Sequence, residues 1–367
     1  MDEEQLFYHI LLTQIPHIGD VHVGVLLEYF KEPKAVFAAK KRELESLNGI
    51  GTIRAHAIKS FKGQDSVSKE LSFMIKNNIR ALVKGFKGYP QKMENYPDAP
   101  HVLYLKGNAD LCNAKVVSII GTRSPTEYGK ERVVQLIESL CQLNILVVSG
   151  LAYGIDTCVH RESLRQQLPT LGVLGHGLDQ IYPHANRSLA IEMLQNGGLI
   201  TEFTKGTKPD KQNFPLRNRI VSGIADAVVV IESGQKGGSL ITANMANAYN
   251  KDVFAFPGRS IDQQSMGCNE LIKSQRAHLI TKGEDLLQMM NWQSLPLKKN
   301  AFQSSLFEAL GLEERKIIDL LSTHRTLSVD DITGLSMLKP SIVSYQLLSL
   351  EMKGLLKVLP GKRYTLR

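Results

Sequence analysis

What this chain lacks narrows its class before any motif is read. Its four cysteines, Cys112, Cys141, Cys158 and Cys268, lie far apart without a C-x-x-C pair. That spacing argues against a disulfide framework and a zinc ribbon, and leaves reduced, mostly buried thiols as the reading. Cys158 and His160 form a C-x-H, but no second pair stands at zinc-ligand spacing. No uncharged apolar run reaches the roughly 18 residues of a membrane span, so no membrane partner is expected. The opening MDEEQLFYHILLTQIPHIGD is acidic where a secretory signal carries basic residues, and the cytoplasm is the expected location. Also missing are a G-x-G-x-x-G, a Walker A loop, an H-E-x-x-H and a Ser/His/Asp set in motif context. No catalytic residue, cofactor or metal is therefore expected.

What is present is an ordinary globular composition, 43% hydrophobic and 22% charged over 367 residues, enough for two or three domains. Residues 1–88 read as small helices, with IPHIGDVHVGVLL and LNGIGTIRAHAI in the form helix, glycine turn, helix. Both strings resemble helix-hairpin-helix elements, and Ile53, Ala57 and Ile58 are placed on an apolar face. The proline-containing stretch 88–100 reads as an irregular connection, and HVLYLKG after it as a short edge strand. Residues 101–292 alternate apolar strands with amphipathic helices: VVSIIG, ILVVSG, TLGVLG, GLIT, AVVVIES and DVFAFPG are strands. This pattern predicts a doubly wound, mostly parallel, Rossmann-like α/β sheet, with ligands expected beyond the C-terminal strand ends. QSLPLKKNAFQSS reads as a linker. Residues 305–367 give three helices and a hairpin, a winged helix.

The formal charge of +8 permits a polyanionic partner without choosing one. Its placement is more telling. Segment 205–219, KGTKPDKQNFPLRNR, holds Lys205, Lys208, Lys211, Arg217 and Arg219 against Asp210 alone, with Phe214 among them. Cations for phosphates and an aromatic for stacking are what a single strand requires. The turn Gly121-Thr122-Arg123 places a guanidinium at a glycine turn, suited to bidentate phosphate contact. Gly238-Ser239 with Thr242 opens a helix whose N-terminus can receive an anion. In Ser149-Gly150-Leu151-Ala152-Tyr153-Gly154-Ile155-Asp156, Asp156 is read as a helix cap. His176 and His184 flank HGLDQIYPH at the site's rim or in a packed turn. Glu202 and Glu232 stand alone at strand ends.

GTRSPTEYG, SGLAYGID with His160, LGHGLDQIYP, FPLRNRIVSG, GGSLITA and FAFPG, in that order, resemble the DNA-processing protein A (DprA, or Smf) family over residues 100–290. The resemblance implies a core that binds single-stranded DNA, forms a homodimer through that core, and brings the RecA recombinase onto DNA during natural transformation. It carries DNA contact onto Gly121 and Arg123, onto Arg217, Asn218 and Arg219, and onto Gly238, Ser239 and Thr242. Lys205, Lys211 and Phe214 follow more loosely. The chain departs from the family at Cys158-Val159, at Gln235-Lys236-Gly237 and at Gln275-Arg276-Ala277.

Two other readings compete. Related folds include phosphoribohydrolases, but their P-G-G-x-G-T-x-x-E loop has no counterpart of its glutamate in GGSLITAN. A sequence-specific winged-helix regulator would need base-reading cations, and only Lys339 precedes the third helix of that domain.

Overall fold

The computed structural model describes residues 1–112, 115–141, 143–292, 311–324, 326–353, 355–359 and 361–366. The chain divides into two compact units, Met1–Ser294 and Leu295–Arg367. The linker read at QSLPLKKNAFQSS lies outside the described residues, as do residues 305–310 of the expected winged helix.

The first unit opens with six helices: α1 (Glu3–Thr13), α2 (Asp20–Phe30), α3 (Pro33–Ala38), α4 (Lys41–Glu45), α5 (Gly51–Ser60) and α6 (Gln64–Lys76). Asp2 starts α1 by accepting the Gln5 amide at 2.7 Å, satisfying a donor that the first turn cannot pair internally. Leu12, Val23, Leu26, Leu44, Ala55 and Ile58 share one buried cluster. Ile53 does not join them. It is 74% exposed, because its helical register turns it away from Ala55 and Ile58.

The sheet follows, from strands β1 (Ile79–Val83), β2 (Val102–Gly107), β3 (Lys115–Ile120), β4 (Ile145–Ser149), β5 (Thr170–Val173), β6 (Gly197–Thr201), β7 (Ala227–Val230), β8 (Asp252–Ala255) and β9 (His278–Leu279). Between and after them run α7 (Gln91–Glu94), α8 (Glu127–Leu140), α9 (Ile155–Arg165), α10 (Arg187–Met193), α11 (Asn213–Gly223), α12 (Gly238–Ala248), α13 (Met266–Lys273) and α14 (Gly283–Met289). The order is β1-β2-β6-β5-β4-β3-β7-β8-β9, with β2 antiparallel to both its neighbours and the other pairings parallel. Strands β3 to β7 are buried along nearly their whole length, as strands covered by helices on both faces must be. Their covers are amphipathic: α8 buries Val133, Leu136, Ile137 and Leu140 at helical spacing.

Two expectations fail at the start of the sheet. HVLYLKG is not an edge strand, because β1 pairs along it from Ile79↔Lys106 to Val83↔Val102. The sheet therefore begins inside the segment assigned to the helical domain, and 88–100 holds the short helix α7. Both failures have one cause: IRALV is too short and too mixed to stand out from the helices before it.

The chain runs outward from β3 to β4, β5 and β6, then returns to β3's other side for β7 and β8. This places the switch point of the sheet between β3 and β7, where an open α/β sheet leaves a crevice beyond its strand ends.

In the second unit, α15 (Leu312–Thr323), α16 (Val329–Ser336) and α17 (Pro340–Met352) pack around Ile317, Leu321, Ile332, Val343 and Leu347. Strands β10 (Leu327–Ser328), β11 (Leu356–Leu359) and β12 (Arg363–Leu366) complete a winged helix in the order β10-β12-β11. No helix among the described residues is long and apolar enough to cross a membrane.

Gly197 is a critical point in this sheet. Its φ is +130°, and a Cβ there would lie 1.9 Å from the Thr170 carbonyl oxygen of β5. Gly197→Ala is expected to lower stability by about 2 kcal/mol or more, read as a fall in thermal midpoint. An unchanged midpoint would contradict this packing.

Candidate functional site

Three loops and the helix α11, beyond the strand ends, build the crevice. The first follows β3. Thr122 donates its amide to the Glu232 carbonyl at 2.8 Å, and its own carbonyl accepts the Ile155 amide at 3.0 Å. This two-sided tether holds the Gly121–Arg123 turn between β7 and α9, leaving the Arg123 side chain exposed. Glu232, only 2% exposed, accepts from the Thr126 amide at 2.9 Å and from the Thr126 hydroxyl at 2.5 Å. Thr126 in turn caps α8. Glu232 is thus a scaffold group with both oxygens engaged.

The second loop follows β4. His160 is fully buried, with Nδ1 2.7 Å from the Thr170 hydroxyl and Nε2 2.5 Å from the Gly150 carbonyl. Burial holds its pKa down to about 4, so the ring is neutral, and Nε2 donates because a carbonyl can only accept. Asp156 is not the helix cap. It sits in the first turn of α9, whose N-cap is Gly154, and accepts the Ala152 amide at 3.2 Å. Burial pushes its carboxyl up, against the pull of Arg217. A Cβ on Gly150 would fall 2.0 Å from Arg217 Nη1 and 2.4 Å from Asp156 Oδ2. Only glycine leaves room there for both charged groups.

The third element is α11. It begins inside the basic stretch rather than after it, and its turn sorts that stretch by direction. Phe214, Arg217, Asn218 and Val221, spaced i, i+3, i+4 and i+7, all line the crevice. Arg217 is 7% exposed yet makes no ion pair or hydrogen bond among the described residues, and its Nε is buried without an acceptor. Burial lowers its pKa and Arg123 adds repulsion, while Asp156 opposes both. A guanidinium remains charged under any ordinary condition. It is a buried cation facing an opening.

Arg219 turns the other way. It forms ion pairs with Asp20 of α2, at 3.0 Å, and with Glu202 at the end of β6. Asp20 also accepts the His101 amide at 2.8 Å. Arg219 therefore ties the N-terminal helices to the sheet and is not a crevice residue. Glu202 is likewise no isolated acid, and burial pushes its carboxyl up to about 7.

The fourth element, a loop, leads from β7 into α12. Ser239 donates to the Ser233 hydroxyl at 2.8 Å, and Thr242 donates to the Gly238 carbonyl at 3.3 Å. Ser239, Thr242 and the open face of Gly238 line the crevice. The positive end of an eleven-residue helix thus meets it.

Of the residues singled out from the sequence, Gly121, Arg123, Lys211, Phe214, Arg217, Asn218, Gly238, Ser239 and Thr242 border one crevice of about 640 Å³. Arg219 and Lys205 do not. Lys205 points to α6, its Nζ 5.1 Å from the Phe73 ring. The crevice also gathers residues to which the sequence assigned no DNA contact: Lys236, and Tyr182, which stands half-exposed with its ring 6.1 Å from Phe214. The Arg123 guanidinium lies 5.8 Å from the other partner of that pair, the Phe214 ring. His176 fixes the neighbouring loop, its Nδ1 donating to the Gly177 carbonyl at 2.9 Å and its Nε2 accepting the Tyr182 amide at 3.3 Å. Tyr153, 54% exposed, lines a small side pocket together with Tyr182, Phe214, Arg123 and Arg217. Both tyrosines were legible as aromatics in strand-end loops.

Arg123, Lys211, Arg217 and Lys236 face this space with Asp156 as the one acid among its lining residues. Fold and crevice together define a Rossmann-like α/β protein with an anion-receptive switch-point crevice flanked by aromatic rings. The chain belongs to the DNA recombination-mediator protein A family, whose model matches residues 80–291, and a DprA winged helix domain matches residues 307–362. Protein Smf of Synechocystis is 30% identical over the full length of both chains. The DNA processing protein DprA of Streptococcus pneumoniae is 39% identical across 54% of this chain and 70% of its own. A solved structure of the Streptococcus pneumoniae protein superposes with a TM-score of 0.68 at 31% identity, covering 77% of this chain and 97% of that one. DNA processing protein A of Helicobacter pylori, solved for its single-stranded DNA binding mode, gives 0.53 at 30% identity, covering 58% and 95%.

The raised carboxyl of Glu202 has a thermodynamic consequence. A carboxyl whose pKa rises on folding binds more protons in the folded state, so stability falls as pH climbs from the ordinary glutamate value of about 4.3 towards 7. Glu202→Gln is expected to flatten the dependence of thermal midpoint on pH across that window. A variant that retains the full slope would contradict it.

Proposed function

We propose that the protein binds single-stranded DNA along this crevice, as a homodimer joined through the α/β core in the cytoplasm, and loads RecA recombinase onto the strand during natural transformation and DNA processing. The observation that carries the reading is Arg217, a buried guanidinium with no hydrogen bond or ion pair among the described residues, lining a crevice that Arg123, Lys211 and Lys236 make positive. A phosphodiester supplies the missing anion. Phe214 and Tyr182 offer faces on which bases stack without regard to sequence. The Helicobacter pylori relative, described by its single-stranded DNA binding mode, supports the choice of ligand. The family's description as a recombination mediator supports the RecA role. For the homodimer, β9 pairs only with β8 among the described residues and leaves a sheet edge where His278 and Leu279 are exposed. The phosphoribohydrolase alternative has no favouring observation, since Glu232 is held by Thr126 on both oxygens.

Fluorescence anisotropy with a labelled oligothymidine tests the binding. Arg123→Ala together with Arg217→Ala should weaken it well over tenfold, at about 1–3 kcal/mol per charge-assisted contact. Arg123 is exposed, so Arg123→Ala alone separates lost contact from lost folding. Affinity should also fall steeply with salt, because each neutralised phosphate releases counterions. A double variant that binds like the parent protein refutes the assignment. A gel shift with and without RecA, at two salt concentrations, tests the mediator step, and RecA occupancy that ignores the protein would refute that part.

A further inference from the structure

Lys205 is the most instructive misplacement in the basic segment. It lines a separate groove of about 700 Å³ with Asp65, Ser68, Lys69, Phe73 and Lys76 of α6. Lys69, Phe73 and Lys76 recur at i, i+4 and i+7, which sets them on one face of α6, while Val67, Glu70 and Met74 are buried on the other. Over that interval the helix rises about 10 Å, so the two ammonium groups bracket more than one phosphate of a strand laid along it. Glu70 pins the far wall, since its carboxylate accepts the Lys205 amide at 2.8 Å. Lys69, Lys76 and Lys205 make no ion pair among the described residues, and Asp65 is the acid that lines the groove with them.

The groove is also joined to the crevice by the chain itself. Lys205 borders one and Lys211 the other. Six residues of extended chain span at most about 20 Å, so the two sites lie within reach of one short strand. The intervening loop is held in place, with the Gly206 amide on Asp179 at 3.0 Å and the Thr207 carbonyl accepting from Gly177 at 3.1 Å and Gln180 at 2.9 Å.

We propose that this groove is a second polyanion subsite, where the sugar–phosphate backbone of a single strand leaving the crevice crosses α6 between Lys69, Lys76 and Lys205. The subsite rests on the reading of the crevice as a single-strand site and extends it onto the N-terminal helices. It acts on phosphates alone. Its cations sit on an open face, so it adds length-dependent affinity and no sequence preference.

The test compares two labelled oligothymidines, one of about six nucleotides that fills the crevice and one of about twenty that reaches both sites. The full chain is used, as parent and as Lys69→Gln/Lys76→Gln/Lys205→Gln. A control, Lys31→Gln/Lys40→Gln/Lys273→Gln, removes the same charge from exposed positions outside the groove. For the groove variant, binding of the longer strand should weaken about tenfold or more. The slope of log affinity against log salt should shrink by about 2, from roughly 0.7 for each of three phosphate contacts. The short strand should bind within about twofold of the parent. A longer-strand affinity and slope no lower than those of the control would overturn the proposal. Equal loss for both strands would overturn it too, since the lysines would then be acting through the crevice or the fold. Failure of the crevice reading looks different: Arg123→Ala would weaken neither strand.

Discussion

Arg217 is a cation removed from water with no hydrogen bond or ion pair among the described residues, and the loops around it leave it facing the crevice. Desolvating a charge costs several kcal/mol unless a partner returns it, and Asp156 attracts the guanidinium without forming an ion pair with it. The position is enforced by its surroundings. Gly150 clears the volume, α11 sets the direction, and the neutral His160 clamps the Gly150 carbonyl beneath. Such a group is a poor choice for stability and a good one for binding, because an arriving phosphate recovers the lost solvation and meets a fork of donors already fixed in place.

The same helix balances that deficit two residues on. Arg219 is also buried, but it meets Asp20 and Glu202 and so anchors the N-terminal helices to the sheet that holds Arg217. Two arginines of one motif thereby do different work: one is ion-paired and structural, the other makes no ion pair among the described residues and faces the crevice. Through Asp20, which also takes the His101 amide, the helical part of the unit braces the crevice it does not itself line. Lys205, held to α6 through Glu70, is a second point at which these helices and the crevice loops meet.

Much of this was legible in the residues. Six of the seven strands that pair in parallel, β3 to β8, could be read because strands buried on both faces are unbroken apolar runs, and the crevice because its glycine turns fall at the ends of those runs; β9, two exposed residues, could not. Charge spacing alone misled in one respect. A run of cations reads as a single face until the helical period is imposed on it, and α11 begins at Asn213, inside the run. That period sends Arg219 to the acids behind the helix and keeps Phe214, Arg217 and Asn218 in front. Glu202 and Asp20 lie far apart in sequence, and Arg80 and Ala81 lie in a strand too short to announce itself, so neither the ion-pair triad nor the true sheet edge had a local signal. Tyr182 was visible as a letter, but the loop that sets its ring beside Phe214 depends on His176.

The central claim is that Arg217 waits for a phosphate. A crystal structure of the protein with a bound oligothymidine tests it most directly. The account predicts a phosphate oxygen within hydrogen-bonding distance of the Arg217 guanidinium, Arg123 on the same or the next phosphate, and a base against Phe214. A strand bound elsewhere, with Arg217 still unpartnered or closed onto Asp156, would contradict it.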